Sequence, residues 1–198
     1  MTEDKAHAIL SPHYNRMALA IVKSFGTYRT RYPHRPIHRR TTAANVICDE
    51  VWAEIVSAFD DYAPMIRPIE HRYGLRLLGV SGKAGEIDIL LWFKKIDGNR
   101  NPRNYRTRTA AKRLAGETLE MFEQATLLVV GYRLNRDETR VISISITRPS
   151  VGRPEWYIDL ELPEGLENVV QMPHSSETAA PAKRVVVRRI KQARLGDE

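Results

Sequence analysis

Glu86 and Asp88 are the two residues whose types and spacing come nearest to a catalytic pattern. They stand two positions apart in the segment 86–94, which is predicted to be a β-strand, so both carboxylates point to one face of the sheet. Paired carboxylates can hold Mg²⁺ for phosphodiester hydrolysis, and the preceding helical segment supplies Glu50 and Glu54. One hypothesis is therefore a metal-dependent nuclease, and the alternative is a pair of hairpin-edge carboxylates held in water.

Other residue types that carry chemistry lack the spacing that the chemistry needs. The single cysteine, Cys48, excludes an intrachain disulfide, and its apolar helical surroundings predict a buried, inert thiol. His34 and His38 are four positions apart, but Pro36 breaks the helix that would align two metal ligands. The sequence also contains no phosphate-binding loop, dinucleotide fingerprint or serine-hydrolase elbow. Apart from the Mg²⁺ that the paired carboxylates of the nuclease hypothesis would hold, it thus predicts no metal site and no cofactor.

Basic residues are concentrated in three stretches of a chain whose net charge is +7 and whose isoelectric point is near 9.7. The stretches are the arm 27–40, the segment 94–113 and the tail 183–194, and arginine outnumbers lysine in each. Arginine makes bidentate contacts with phosphate, so this segregation favours DNA or RNA as a partner. The alternative is a solvated surface, or pairing of these cations with carboxylates of the same chain. The residues predicted to contact nucleic acid are Arg29, Arg31, Arg35, Arg39, Arg40, Lys94, Lys95, Arg100, Arg103, Arg106 and Arg108.

The helices that would position these residues are read from apolar spacing. The segment 9–25 follows helical spacing, and Gly26 is predicted to end it. Two prolines in 27–40 predict an extended basic arm there. The segment 42–60 is the clearest helix, since its apolar residues recur every four positions. A less regular helix is predicted over about 107–123.

Five segments have the composition of β-strands. The segments 73–80 and 86–94 are joined by a glycine-rich connector, which predicts a hairpin. Apolar and polar residues alternate in the second set, which indicates an antiparallel sheet with one buried face. Short turn-like connectors predict that this set forms a meander of three strands, 126–134, 139–147 and 155–162.

The predicted fold class is α+β, with an antiparallel sheet of about five strands. The helices near 42–60 and 107–123 are expected to cover one face of this sheet, and an N-terminal helix and basic arm precede it. The expected division of the chain is an N-terminal helix and arm, an α+β core domain and a flexible basic tail, at 1–40, 41–163 and 164–198 respectively.

The ends of the chain and its apolar runs bear on its location. The N-terminus lacks the basic start and long apolar stretch of a secretory signal. The longest apolar run is far below the ~20 residues that a membrane-spanning helix needs. These features predict a cytoplasmic protein without membrane contact, and they leave a homo-oligomer open.

Three sequence blocks resemble a family of uncharacterised bacterial and phage-borne proteins. The blocks are TTAANVICDEVW at 41–52, LLWFKKIDGNRNPRNYRTRTAAKRL at 90–114 and LLVVGYRLNRDETRVISISITRPSVGRPEWYIDL at 127–160. That family accompanies repressor-like helix-turn-helix and ImmA/IrrE-type metallopeptidase genes, so the resemblance implies a toxin–antitoxin or phage-defence module with a protein partner from the same genes. The chain has no zinc-binding H-E-x-x-H helix, which implies the partner and not the peptidase.

A second resemblance concerns the helix 42–60 and the hairpin that carries Glu86 and Asp88, with Lys94 at the far end of its strand. This order is similar to the core of the PD-(D/E)xK nucleases. The Glu-x-Lys pair that such nucleases carry on the next strand is missing, which puts the nuclease role in doubt.

Three hypotheses of function follow, and whether the protein is an enzyme stays open among them. The leading one is a nucleic-acid-associated component, toxin or partner, of a toxin–antitoxin-like or phage-defence module. The alternatives are a metal-dependent nuclease that uses the two carboxylates, and a non-enzymatic module that docks another protein.

Overall fold

The computed structural model of the protein describes most of the chain up to residue 163. The described residues are 1–32, 40–71, 75–82, 86–102, 124–136, 138, 140–150 and 152–163. They form three α-helices, α1 (Glu3–Leu10), α2 (Tyr14–Arg31) and α3 (Arg40–Phe59), and six β-strands, β1 (Ile66–His71), β2 (Leu75–Val80), β3 (Ile89–Lys95), β4 (Thr126–Leu134), β5 (Val141–Arg148) and β6 (Trp156–Leu160). The predicted helix 107–123 and the predicted tail 164–198 lie outside the described residues.

The prediction that Gly26 ends the first long helix is wrong. Helix α2 continues through Gly26 to Arg31, so the first part of the predicted extended arm is helical. Burial of Phe25 and Tyr28 in the core offsets the ~1 kcal/mol that a glycine costs inside a helix. The helix ends instead where Tyr32 leaves helical geometry, because the residue before a proline disfavours that geometry.

The six strands form one sheet in the order β1-β2-β3-β4-β5-β6. The predicted hairpin (β2–β3) and the predicted meander (β4–β5–β6) are both antiparallel, as expected. Strands β3 and β4 are parallel, and the connection from Lys95 to Thr126 is long enough to return the chain to the same end of the sheet. The α+β prediction is therefore confirmed, with six strands instead of about five and one parallel pair.

Strand β1 was not predicted. It carries Pro68 in its middle, and proline removes a backbone donor from a sheet ladder. The strand tolerates it because β1 lies at the edge of the sheet and pairs with β2 alone.

Helices and sheet share one main apolar core. The three helices cover one face of the sheet, with fully buried side chains such as Leu10, Met17 and Ile55 packed against Leu78 and Ile144. The N-terminal helices therefore pack on the sheet and are not an appendage to it. The opposite face carries a smaller buried cluster of Leu77, Leu90, Trp92, Ile96 and Val129.

Candidate functional site

The β2–β3 pair is closed at one end and open at the other. Among the residues that the structure describes, backbone pairing covers three positions, which run from Val80 opposite Ile89 to Leu78 opposite Leu91. Both strands continue beyond that point, β2 back to Leu75 and β3 on to Lys95. Over this stretch β2 stays paired with β1 and β3 stays paired with β4. The sheet is therefore split between its second and third strands, and side chains from both strands line the gap.

Helix α3 lies across this gap and presents one face to it. Asn45, Cys48, Asp49 and Trp52 follow the spacing i, i+3, i+4 and i+7, which places them on one side of a helix. Ile47, Val51 and Ile55 belong to the neighbouring face that packs into the core, which holds the helix in this orientation.

Helix and strands together line a half-open cavity of about 390 Å³. Its lining combines aromatic rings, two cations, a carboxylate, an amide and a thiol, contributed by Asn45, Cys48, Asp49, Trp52, Arg76, Trp92, Phe93 and Lys94. Small-molecule sites are typically clefts of roughly 300–1,000 Å³ with apolar walls and a few polar groups. The cavity has that character at the small end of the range.

A chain of polar contacts fixes one wall of the cavity. The indole Nε1 of Trp52 donates a hydrogen bond to Glu70 Oε1 at 3.0 Å. The guanidinium of Arg76 donates to Asp49 Oδ1 at 2.5 Å, and its Nε lies 3.8 Å from Glu70 Oε1. Arg76 is thus positioned between a carboxylate of the helix and one of the neighbouring strand. Because its side chain is 37% exposed, it can still contact a ligand at the cavity.

Strand β3 contributes Trp92, which is 6% exposed and belongs to the cluster on the other face of the sheet. The Nζ atom of Lys94 lies 4.7 Å from the centre of the Trp92 ring. An ammonium group over an indole face is a favourable cation–π contact. The Trp92 ring belongs to the buried cluster on the sheet face opposite the helices, whereas Trp52 and Arg76 lie on the helix side of the gap.

The two cations suit binding of an anionic ligand. Arg76 and Lys94 can provide charge-assisted hydrogen bonds to phosphate. Within the described residues, no group of three or more His, Cys, Asp or Glu side chains is placed to hold a metal ion.

The two carboxylates singled out from the sequence lie at the closed end of the β2–β3 pair. Both precede β3, which begins at Ile89, so neither lies on the strand where it was predicted. Asp88 Oδ2 accepts a hydrogen bond from the Gly82 backbone N–H at 2.7 Å, which fastens the connector. Its backbone N–H donates to Val80 and its carbonyl accepts from Thr126. Glu86 is exposed. The carboxylate of Asp88 therefore serves the hairpin.

The predicted nucleic-acid contacts are placed differently from one another. Arg31 pairs with Glu50 at 2.8 Å and Lys95 with Glu138 at 2.7 Å, so the alternative of intrachain pairing holds for these two cations. Arg29 lies in the last turn of α2, where it is half-buried. The backbone of Arg40 begins α3. The predicted contacts that lie outside the described residues are Arg35, Arg39, Arg103, Arg106 and Arg108. The side chain of Arg40 is also outside them.

Arg100 lies in the loop after β3, where it contacts strand β6. Its guanidinium donates two hydrogen bonds to Asp159, at 2.7 and 3.2 Å, and stacks on Tyr157 with 3.7 Å to the ring centre. The hydrogen bond to Asp159 raises the pKa of Arg100. A bidentate, stacked arginine of this kind ties the loop to β6.

Sequence reasoning identified Lys94 and missed the other charged and aromatic members of the cavity. Asn45, Asp49 and Trp52 were readable as one helix face from their spacing alone. Cys48 was predicted to be a buried thiol, but it is only half-buried because it lines the cavity. Nothing in the sequence indicated that Arg76 would face this group, since that depends on where the β2–β3 pairing stops.

Comparisons of the whole chain add no family to this description. Among the helices that the structure describes, none is long and apolar enough to cross a membrane. No protein-family model, curated protein or solved structure matches the chain.

Proposed function

We propose that the protein is a nucleic-acid-associated component, and that DNA or RNA is bound at the opening between β2 and β3. One observation carries this proposal: Arg76 and Lys94 line the same cavity as Trp52 and Trp92. Proteins that bind single-stranded nucleic acid combine cations that follow the backbone with aromatic rings on which bases stack. The net charge of +7 favours the same class of partner.

The contacts of Arg76 and Lys94 permit an exchange of partners when phosphate arrives. Arg76 is held by Asp49, whose side chain is 66% exposed, so the pair gains little from being formed in water. A backbone phosphodiester presents the same bidentate acceptor geometry as the carboxylate and carries the same charge of −1. Arg76 can therefore turn from Asp49 to the ligand, and Lys94 can turn from the ring of Trp92.

The wider role follows the resemblance of the blocks at 41–52, 90–114 and 127–160. We place the protein in a toxin–antitoxin-like or phage-defence module of the cytoplasm, as toxin or partner. Co-expression supplies the test: the chain alone arrests growth if it is the toxin, or relieves arrest by a toxin encoded beside it. Neither effect in cells that carry the whole module would contradict this role.

The binding proposal is tested by fluorescence anisotropy with a labelled single-stranded oligonucleotide at several salt concentrations. The variant Arg76→Gln/Lys94→Gln removes two cations from the opening. The matched control Lys5→Gln/Arg153→Gln removes two exposed cations near the β6 side of the sheet. Each lost phosphate contact lowers the slope of log affinity against log salt by about 0.7 for a single strand.

We expect the variant at the opening to bind weakly, with a slope reduced by about 1.4, whereas the control keeps the wild-type slope. Equal slopes for the two variants would contradict the proposed site. The predicted contacts at Arg103 and Arg106 are tested in the same assay by Arg103→Ala/Arg106→Ala. The ratio of absorbance at 260 and 280 nm of the purified protein provides an independent check for bound nucleic acid.

A further inference from the structure

Strand β4 carries an arginine, Arg133, with a buried donor that lacks an acceptor. The side chain is half-buried, and its Nε atom is enclosed by the protein without a hydrogen bond to any residue that the structure describes. A buried donor in this state costs folding free energy, and the cost is larger when the group is charged. Such groups are usually satisfied by water or by a bound molecule.

A second polar group without a partner lies on the neighbouring strand, at Ser145. This residue is 1% exposed, and its hydroxyl makes no hydrogen bond to a described residue. The preceding residues, Tyr132 and Ile144, belong to the main core, so Arg133 and Ser145 point to the sheet face opposite the helices. Arg133 lies directly across from Ser143, and Ser145 is its diagonal neighbour on the same face. A long side chain reaches across such a diagonal, so one small ligand can contact all three.

The pairing of β4 with β5 is irregular at the same place. Arg133 pairs with Ser143, and the register then shifts by one residue, so that Ile142 is an extra residue on β5. Bulges of this kind re-aim side chains and are over-represented beside functional sites. The irregularity thus falls at the arginine whose Nε lacks an acceptor.

The neighbouring carboxylate on this face is already engaged by another arginine. Asp159, the one acidic residue of β6, lies across from Ser145 and accepts two hydrogen bonds from Arg100. Arg100 also stacks on Tyr157. Strand β6 therefore offers no second carboxylate to balance the charge of Arg133.

We propose that Arg133, Ser143 and Ser145 form a binding site for a phosphate group. A guanidinium donates two directed hydrogen bonds to phosphate oxygens, and each hydroxyl adds a further donor. Water could satisfy the Nε donor, but only an anion also balances the buried positive charge. Because Arg133 and Ser143 are half-buried, the phosphate reaches them from solvent, and Ser145 lies at the inner end of the site.

This site is separate from the opening between β2 and β3 and shares no residue with it. The phosphate group has two possible sources, which present the same oxygens to Arg133. One is free phosphate, and the other is the backbone of a nucleic acid. The experiment below distinguishes them, and its outcome is independent of the salt slopes measured for Arg76 and Lys94.

The Nε–H group of Arg133 reports directly on an acceptor at this site. Its ¹H–¹⁵N signal is identified in the full chain by its loss in Arg133→Lys. The chain is titrated with inorganic phosphate, with a single-stranded oligonucleotide without terminal phosphate, and with chloride at equal ionic strength. We expect phosphate, the oligonucleotide or both to shift the signal to saturation, and the active probe identifies the source. Chloride should leave the signal in place, and the Arg100 signal should stay in every titration because Asp159 holds its guanidinium.

Variants at buried serines separate the site from a general effect of charge. Ser145→Ala should weaken binding of the active probe about tenfold, because one hydrogen bond to a charged group is lost. The matched control is Ser24→Ala, which removes the hydroxyl of another buried serine, bonded to Ile21 in α2, and should leave the affinity unchanged. As a second measurement, the active probe should raise the melting temperature of the wild type but not that of Arg133→Gln.

Three results would overturn the proposed phosphate site. The first is the absence of a saturable Arg133 shift with both probes, together with equal melting responses of the wild type and Arg133→Gln. The second is equal affinity of the wild type and Ser145→Ala. The third is an Arg100 shift as large as that of Arg133, which would show a diffuse effect of charge. Each of these results would leave the proposed function at the β2–β3 opening standing, whereas equal salt slopes at that opening would leave this phosphate site standing.

Discussion

The two ends of the β2–β3 pair use polar side chains in opposite ways. At the closed end, Asp88 directs its carboxylate to the backbone of Gly82, and both strands continue in register for three positions. At the open end the register stops, and Arg76 and Lys94 contribute to a cavity between the strands and α3. The carboxylate of Asp88 at the closed end thus completes the fold, whereas Arg76 and Lys94 at the open end keep partly exposed side chains beside the cavity.

This difference shows why residue type alone is a poor guide to a site. The paired carboxylates have the more suggestive pattern in the sequence, yet one of them fastens a connector. The proposed role of Arg76 depends on the place where pairing stops. Changes at the closed end should therefore alter stability, and changes at the open end should alter binding.

The largest effect on stability is expected for Leu78→Ala, which changes one of the three paired positions of β2 and β3. Leu78 is fully buried beneath the helices, so its truncation leaves a cavity and costs about 2–5 kcal/mol of unfolding free energy. Urea denaturation measures the change. Leu19→Ala, at a side chain that is 41% exposed, is the control and should lie within about 0.5 kcal/mol of wild type. Equal losses of unfolding free energy in Leu78→Ala and Leu19→Ala would contradict close packing at the closed end.

A smaller loss is expected for Gly131→Ala, beside the open end. Gly131 pairs with Lys94 across β3 and β4, and an added Cβ would meet the buried Ile96 side chain, with Cδ1 at 2.8 Å. Such overpacking costs about 1–3 kcal/mol. In the background Ile96→Ala the same glycine change should cost much less, which a double-mutant cycle by denaturation measures. Additive losses would contradict the close approach.

The predicted catalytic pair gives the next contrast. Asp88→Ala removes the acceptor for the Gly82 N–H and should cost about 1 kcal/mol, whereas Asp88→Asn keeps an acceptor oxygen and should recover most of it. Glu86→Ala, at an exposed side chain, should have no effect on stability. Oligonucleotide affinity should be unchanged in all three. If Mg²⁺-dependent cleavage of DNA or RNA were seen and lost on either alanine change, the carboxylates would regain a catalytic role.

The smallest effect lies away from both ends, at His13. Burial and then the charge of Arg16 lower the pKa of His13 below 6.5, its usual value. The unfolded chain therefore binds more protons than the folded one just below pH 6.5, so this residue's contribution to stability is lost as pH falls through that window. Melting temperatures at pH 7.5 and pH 5.5 should differ less in His13→Asn than in wild type. An unchanged difference would contradict this assignment.

Much of the fold is predictable because its signals are local. The helix α3 and strands β2 to β6 follow from apolar spacing and connector composition. Strand β1 was not predicted because Pro68 interrupts its strand pattern. The full length of α2 was not predicted because the burial of Tyr28 outweighs the helix-ending tendency of Gly26. The cavity required non-local information: the register of β2 against β3, and the turn of α3 that faces it.

The basic residues show the same limit of prediction from sequence. Charge counts alone do not distinguish Arg31, which pairs with Glu50, from Lys94, which lies over Trp92 at the cavity. Segregated basic residues in a sequence indicate a class of partner. Only their neighbours in the fold show which of them are engaged with the chain itself.

The most direct measurement of the central claim uses the three tryptophans. Trp52 and Trp92 line the opening, whereas Trp156 lies on β6, three strands away from β3. Each indole N–H gives its own signal in a ¹H–¹⁵N spectrum, assigned with single Trp→Phe variants. On titration with the single-stranded oligonucleotide, we expect the Trp52 and Trp92 signals to shift and the Trp156 signal to stay. Binding that shifts Trp156 alone, or none of the three, would contradict a nucleic-acid site between β2 and β3.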